Sequence, residues 1–131
     1  MLRLGPLIAL MLVLSSFSVL AQSAKPLSPL VVNGERYFTL QWEAADRGGR
    51  PTVRGTILND FGVPAQKISV LVDSLDAAGG VTAQTIGYVG GDLTGGTRSY
   101  FEVPVPARAA TYRVAVFQWE WIQSSGGDPR H

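Results

Sequence analysis

The sequence contains no cysteine, and its single histidine, His131, is the last residue. A catalytic base must be held within hydrogen-bond reach of its target by its surroundings, and we expect a fraying terminus to provide no such support. Ser-His-Asp and Cys-His catalytic arrangements therefore lack their residues, and so do Cys/His zinc sites. The sequence predicts a protein that is not an enzyme of these classes, with no catalytic, metal-binding or cofactor-binding residues.

Charge of one sign is also missing, because 11 basic residues stand against 10 acidic ones along the 131 residues. Binding to a phosphate backbone requires clustered Lys and Arg that displace counterions. A membrane surface attracts proteins through a polybasic segment in the same way. The even balance predicts no nucleic-acid partner and no electrostatic membrane patch.

The carboxylates and glycines do not form a recognisable catalytic or ligand-binding motif. Asp60, Asp73, Asp76 and Asp92 fall in or beside turns, without the Asp-x-Asp cluster that would favour calcium over a turn role. The glutamates of the predicted strands point outward with no evident cleft, unlike paired glycosidase acids; they are Glu43, Glu102 and Glu120. The glycine run "GYVGGDLTGG" lacks the lysine of a phosphate-binding loop.

The N-terminus does contain a long apolar run. Residues 1–21 have one Arg near the start, then an apolar stretch, and then small or short apolar side chains up to Ala21. This is the pattern of a secretory signal peptide that is cleaved after Ala21. The alternative is an uncleaved N-terminal anchor, which would be the only link to a membrane. The pattern predicts an exported protein, periplasmic or extracellular, whose remaining 110 residues suffice for one domain.

The rest of the chain predicts an all-β fold. Apolar residues alternate with period two, and turn residues interrupt them every 8 to 12 positions. We interpret residues 22–36 as a linker with a short first strand near 30–32, 37–122 as the domain, and 123–131 as a polar tail. Strands are predicted at about 37–44, 52–58, 66–73, 81–89, 99–106 and 111–122. About seven strands at this spacing favour an antiparallel two-sheet sandwich of immunoglobulin-like type.

The alternation also predicts which side chains are buried. In the third strand, Ile68 and Val70 should face inward and Ser69 and Asp73 outward. Leu93, the one large apolar residue in its glycine-rich loop, should close one end of the core.

Several segments together resemble the FxLYD-like domains of small bacterial secreted proteins. They are "GTILND", the "LDAAGGV" hairpin, "GDLTGGTRSYFEVPVP" and "TYRVAVFQWEW", in the order in which that family has them. Thr94-Gly95-Gly96 stands where the family pattern has Pro-Gly. The resemblance covers about residues 37–122 and implies an immunoglobulin-like sandwich in an exported or envelope protein, without catalytic residues.

The tryptophans are the candidate contact residues. Apolar residues occupy even positions from Tyr112 to Val116 and odd positions from Phe117 to Trp121, so a regular strand cannot keep both sets on one face. Either a bulge near 116–118 brings both sets into one core, which large aromatics favour, or the second set forms an exposed surface. In the second case Trp119 and Trp121, with Trp42, would form a stacking platform for a ligand.

These observations lead to two hypotheses about function. The first is a non-enzymatic exported β-sandwich module that mediates interaction with a protein or another envelope component. The second is a carbohydrate-binding module that uses Trp42, Trp119 and Trp121, with a glycan as the partner. A small-sandwich enzyme ranks behind both.

Overall fold

A computed structural model describes residues 26–123. The predicted signal peptide at 1–21 and all but the first residue of the predicted tail lie outside these residues. The elements are a short 3-10 helix, Gly34–Arg36, and six strands: β1 Phe38–Arg47, β2 Arg50–Asn59, β3 Ala65–Leu75, β4 Val81–Val89, β5 Arg98–Pro104 and β6 Thr111–Trp121. The all-β prediction and its six main strands are confirmed.

The predicted seventh strand is wrong for the part of the chain that the structure describes. Residues 30–32 form a bend that leads into the 3-10 helix, and they join no sheet. No helix between residues 26 and 123 is long and apolar enough to cross a membrane.

The strands form two three-stranded antiparallel sheets. Sheet A has the order β1-β2-β5, and sheet B has the order β4-β3-β6. The β1–β2 hairpin turns through Gly48 and Gly49, whose φ angles of 58° and 84° suit a two-residue type I′ turn. In the β3–β4 turn, Asp76 Oδ1 accepts hydrogen bonds from the backbone N–H groups of Ala78 and Gly80. The predicted hairpin at 76–80 is therefore confirmed.

The core lies between the two sheets, where strands from both contribute every second residue. Val53, Ile57, Val70 and Val72 are fully buried in it. Leu93 closes one end, as predicted, and forms a bridge to Ala65. β5 ends at Pro104 on an edge of sheet A, which fits the missing N–H donor of proline.

The outward prediction for Ser69 and Asp73 is correct in direction but wrong in exposure. Both share a face with Leu71, away from the core cluster, yet all three are buried. Asp73 accepts hydrogen bonds from Arg113 at 2.7 and 3.1 Å and from Gln84 at 2.8 Å. Burial of this carboxylate is tolerated because charged and polar donors surround it.

The β3–β6 ladder contains two bulges, one on each strand, and their register shifts have opposite directions. Val116 pairs with Val70 and Gln118 pairs with Ser69, so Phe117 is an extra residue on β6. Two positions later β3 has the extra residue, at Lys67, whose φ of 52° is left-handed. The first bulge moves the odd-numbered residues to the core face, which explains why Val116 and Trp119 are both buried.

One of the two gaps between the sheets is tightly packed. At the β4–β5 side, a Cβ on Gly87 would collide with the side chain of Val103. Glycine is required there because β4 approaches the facing side chain too closely for any larger residue. The opposite gap, between β1 and β6, is open.

Candidate functional site

The open gap between β1 and β6 is termed the β1–β6 seam. Among the described strands, β1 pairs only with β2, and β6 pairs only with β3, so each presents one unpaired edge to the seam. Unpaired strand edges carry free backbone donors and acceptors, and in other proteins they pair with added strands. β4 and β5 also have one unpaired edge each, and the β1–β6 seam differs from their side of the sandwich in the cavity that lies between its edges.

A cavity of about 560 Å³ lies in the seam. This volume is within the range of sites that accept small molecules or side chains. Its walls are mainly apolar, with Phe38, Leu40 and Trp42 from β1, Val114, Ala115 and Val116 from β6, and Ser28, Pro29, Val31, Val32, Asn33, Gly34 and Glu35 from the N-terminal side. Of the three predicted contact residues, only Trp42 lines it.

One hydrogen bond shows which backbone groups of β6 face the seam. The carbonyl oxygen of Tyr112 points into the seam, where it accepts a 3.1 Å hydrogen bond from Trp42 Nε1. Backbone groups of a strand alternate in direction, so every second residue points the same way. Val114 and Val116 therefore direct their N–H and C=O groups into the seam as well, up to the bulge at Phe117.

The β1–β2 hairpin determines which backbone groups of β1 are unpaired. Arg47 and Arg50 flank the two-residue turn and form a hydrogen-bonded pair. The same alternation then turns the backbone groups of Leu40 and Trp42 away from β2 and toward the seam. Both walls of the cavity thus carry unpaired peptide groups beside apolar side chains.

Residues 26–33, here called the strap, cross the β6 edge at one end of the seam. The N–H groups of Leu30 and Val31 donate to the carbonyl oxygen of Phe117 at 2.8 and 3.4 Å. Gly34 follows, and a Cβ at this position would lie 3.1 Å from Val116 Cβ. The end of the strap packs closely against β6 because Gly34 has no side chain.

The strap is anchored to sheet B as well. The side-chain amide of Gln84 accepts a hydrogen bond from Leu27 N–H at 2.7 Å and donates one to Leu27 C=O at 3.2 Å. The same amide donates to Asp73, which also binds Arg113. A buried carboxylate therefore orients the residue that fixes the start of the strap.

Of the residues between 26 and 123, Glu35 is the only ionisable one that lines the cavity. Among the described residues it forms no salt bridge, whereas Glu43, Glu102 and Glu120 each do. Sequence reasoning missed Glu35, because nothing local distinguishes it from any other surface glutamate. The cavity thus combines an apolar interior with one acidic group at its wall.

The three tryptophans do not form one surface. Trp119 is 6% exposed and belongs to the core, which confirms the bulge interpretation, whereas Trp42 is 40% exposed at the seam. Trp121 is half-buried and stacks on Phe38 with ring centroids 5.7 Å apart. The planes of Trp119 and Trp121 meet at 74°, so the pair does not offer coplanar faces to a ligand. The aromatic cluster around them is completed by Tyr37, Phe38 and Phe61.

A second depression, of about 320 Å³, lies on the outer face of sheet A. Trp42 borders it as well as the seam cavity, beside Gln41, Gly55, Thr56 and Tyr100, and Tyr100 is 57% exposed. At its margin Arg54 binds Glu43 at 2.9 Å. This hydrogen bond and the carboxylate charge raise the pKa of Arg54 above its ordinary value, so the guanidinium stays charged.

Groups that could bind a metal ion are not found in the described part of the chain, where no three His, Asp or Glu side chains converge. Comparisons with family models, curated proteins and solved structures gave no match. The resemblance to FxLYD-like domains therefore stays a prediction, and the geometry of the seam is the main guide to function.

Proposed function

We propose that this protein is a non-enzymatic, exported β-sandwich module that binds a protein of the cell envelope at the β1–β6 seam. The observation that carries the proposal is the seam itself, where two unpaired strand edges flank an apolar cavity. The opposite side of the sandwich is closed by Gly87 against Val103. The edges of β4 and β5 are also unpaired, but at the seam the free edges flank a cavity that has room for a partner's side chains.

The strand order supports an immunoglobulin-like arrangement. β1-β2-β5 corresponds to strands A, B and E, and β4-β3-β6 corresponds to C′, C and F. In that fold the last strand, G, lies beside F. On this correspondence G would lie along the free edge of β6, a position that no described strand occupies.

Export is supported by the sequence pattern of residues 1–21. An envelope partner follows from this location, and a protein partner follows from the free peptide groups of Val114 and Val116. Sugars and nucleic acids do not provide the regular spacing of donors and acceptors that a strand edge pairs with.

The proposal is tested by affinity capture from an envelope extract, with the mature domain as bait. A Trp42→Ala variant removes an aromatic wall of the cavity, and Tyr88→Ala removes an aromatic that is 80% exposed on the other sheet. We expect one captured protein that is lost with Trp42→Ala and kept with Tyr88→Ala. The captured protein is then purified, and its binding to both variants is measured by calorimetry.

Capture that is equally strong with both variants would place the contact elsewhere and contradict the proposal. Turnover of a substrate by the purified domain, abolished by a single carboxylate substitution, would contradict its non-enzymatic part. Circular dichroism of each variant shows whether the fold is kept.

The carbohydrate alternative is favoured by one observation, the exposed side chain of Tyr100 beside the depression on the outer face of sheet A. An aromatic ring beside amide and hydroxyl groups can stack on a sugar and hydrogen-bond to it. Titration of soluble glycans against the domain and a Tyr100→Ala variant tests this. Heat of binding that disappears in the variant would support it, and no heat with any glycan would end it.

A further inference from the structure

We infer that the β1–β6 seam accepts an extended peptide segment as an added strand, which pairs with β6 at Val114 and Val116. An apolar side chain of this segment packs between Leu40 and Trp42, and a Lys or Arg beside it meets Glu35. This inference rests on the proposed function and specifies the chemistry of its partner.

The peptide groups determine the kind of partner. Val114 and Val116 each direct one donor and one acceptor into the seam, at the two-residue repeat of a β-strand. Only another extended chain satisfies groups at this repeat along its whole length. A compact apolar ligand would fill the cavity and leave these groups without partners, which is unfavourable for buried amides.

The ends of the seam determine the length. The Trp42–Tyr112 hydrogen bond closes one end, and the bond from Leu30 to Phe117 closes the other. At about 3.3 Å per residue, the free edge between Tyr112 and Phe117 accommodates roughly three to four residues of a partner strand. The cavity of about 560 Å³ has room for the apolar side chains of such a segment.

The charge of the partner follows from Glu35. Among the described residues, Glu35 is the one ionisable residue that lines the cavity, and it has no salt-bridge partner there. If the bound segment had an acidic residue beside its apolar side chain, binding would place that negative charge near Glu35 while water is excluded, which is unfavourable. A cationic neighbour gives the opposite result, so the segment is apolar and basic.

The polar tail of this chain does not fit these requirements. Residues 123–131 read QSSGGDPRH and contain no large apolar side chain to fill the cavity. A separate chain is therefore the occupant that we infer. A second copy of this protein is treated as an outcome of the test.

The test uses hydrogen exchange followed by nuclear magnetic resonance on the intact mature domain. The probe is the peptide acetyl-Lys-Val-Thr-Val-amide, whose length matches the free edge, added at about 1 mM, which detects even weak binding. Controls are the same peptide with Glu in place of Lys, and a version that is N-methylated at alternate residues. We expect amide exchange at Val114 and Val116 to slow roughly tenfold with the first peptide, and not with the N-methylated one.

A charge exchange tests the role of Glu35. With Glu35→Lys, the Lys peptide should lose roughly three- to tenfold in affinity, and the Glu peptide should gain a similar factor. Glu120→Lys is the matched control, because Glu120 is an exposed glutamate on β6 that does not line the cavity. This control should leave both affinities unchanged.

Each alternative outcome has a distinct meaning. Peptide binding without slower exchange at Val114 and Val116 overturns strand addition. No peptide binding, together with an envelope protein whose capture depends on Trp42, overturns this inference and leaves the proposed function intact. Slower exchange that increases with protein concentration and needs no peptide assigns the seam to a second copy, and it also overturns the inferred occupant.

Discussion

Trp42 and Tyr112 connect the two sheets across the seam. The indole Nε1 of Trp42, on β1, donates a 3.1 Å hydrogen bond to the carbonyl oxygen of Tyr112, on β6. The Tyr112 hydroxyl in turn accepts from Ala109 N–H and donates to Ala107 C=O. The residue that closes the seam is therefore itself held by the loop before β6.

Replacement of Trp42 should weaken this connection in two steps. Trp42→Phe keeps most of the ring and loses the hydrogen bond, so the free energy of unfolding should fall by about 1 kcal/mol. Trp42→Ala loses the packing as well and should cost about 2 to 3 kcal/mol. Urea unfolding measures both, with Tyr88→Ala as a control that should change stability by less than about 0.5 kcal/mol. Equal losses for Phe and Ala would show that the hydrogen bond contributes the whole effect.

Gly87 and Val103 should be energetically coupled. Gly87→Ala inserts a methyl group into the Val103 side chain and should destabilise the protein by about 1 to 3 kcal/mol. Val103→Ala removes the obstructing atoms and should cost about 2 kcal/mol through the cavity that it leaves. In the double variant the new methyl group fills that cavity. A double-mutant cycle by urea unfolding should give a coupling of at least about 0.5 kcal/mol, and additive losses would contradict the observed contact.

Lys67 should tolerate glycine better than a branched residue. Its φ of 52° is left-handed, which costs an ordinary L-residue roughly 1 to 2 kcal/mol. Lys67→Gly removes this strain but adds chain entropy worth about 0.5 to 1 kcal/mol, so the net change should be neutral to slightly stabilising. Lys67→Val should destabilise by about 1 kcal/mol or more. The order of the urea midpoints checks this, and a valine variant above the glycine variant would argue against the bulge.

Asn59 should be intolerant of a charge. It is fully buried, its Nδ2 donates to the carbonyls of Val63 and Leu93, and its Oδ1 accepts from Phe61 N–H. Asn59→Asp places a carboxylate against two carbonyl oxygens and should cost about 3 to 5 kcal/mol at neutral pH.

The pH dependence of this variant has a defined sign. Burial and the facing carbonyls should raise the pKa of the new carboxyl in the folded state above its unfolded value. The folded state then binds more protons, so stability falls as pH rises through this interval and recovers below the unfolded pKa. Asn59→Ala carries no titrating group and should follow the wild-type pH profile. Thermal unfolding between about pH 3 and 8 measures both, and a flat difference between Asp and Ala would contradict the assignment.

Gln84 should control the start of the strap. Gln84→Ala removes both side-chain hydrogen bonds to Leu27, so amide exchange at Leu27 should accelerate by roughly tenfold. The amide of Leu30 bonds to Phe117 and should change much less. Gln66→Ala is the control, because Gln66 is a glutamine of β3 whose side-chain amide donates to Glu120 and not to the strap. Unchanged exchange at Leu27 would show that the strap does not depend on this anchor.

Much of the fold could be predicted from the sequence, because alternation and turn residues are local signals. β4 was predicted with its observed bounds, Val81–Val89, and the parity change after Val116 left a bulge, the favoured alternative, or an exposed aromatic surface, of which the structure shows the bulge. The burial of Ser69 and Asp73 was not predicted. For Asp73, burial is accompanied by hydrogen bonds from Arg113 and Gln84, which lie on the neighbouring strands, and the sequence around Asp73 gives no sign of them.

The candidate site was predicted only in part. Trp42 was named as a contact residue, but its companions Leu40 and Val114 resemble ordinary core positions. Their exposure to a cavity results from the unpaired edges of β1 and β6. A strand edge is free or paired according to what lies beside it in space, which alternation cannot reveal.

The sequence by itself determined the all-β class, the position of six strands and the change of face in "FQWEWI". These features depend on the order of neighbouring side chains, which is local information. The tertiary structure alone decided that Trp119 belongs to the core, that residues 30–32 act as a strap instead of a strand, and that the sandwich is open between β1 and β6. Each of these depends on long-range pairing, in which residues far apart in sequence compete for the same edge of a sheet.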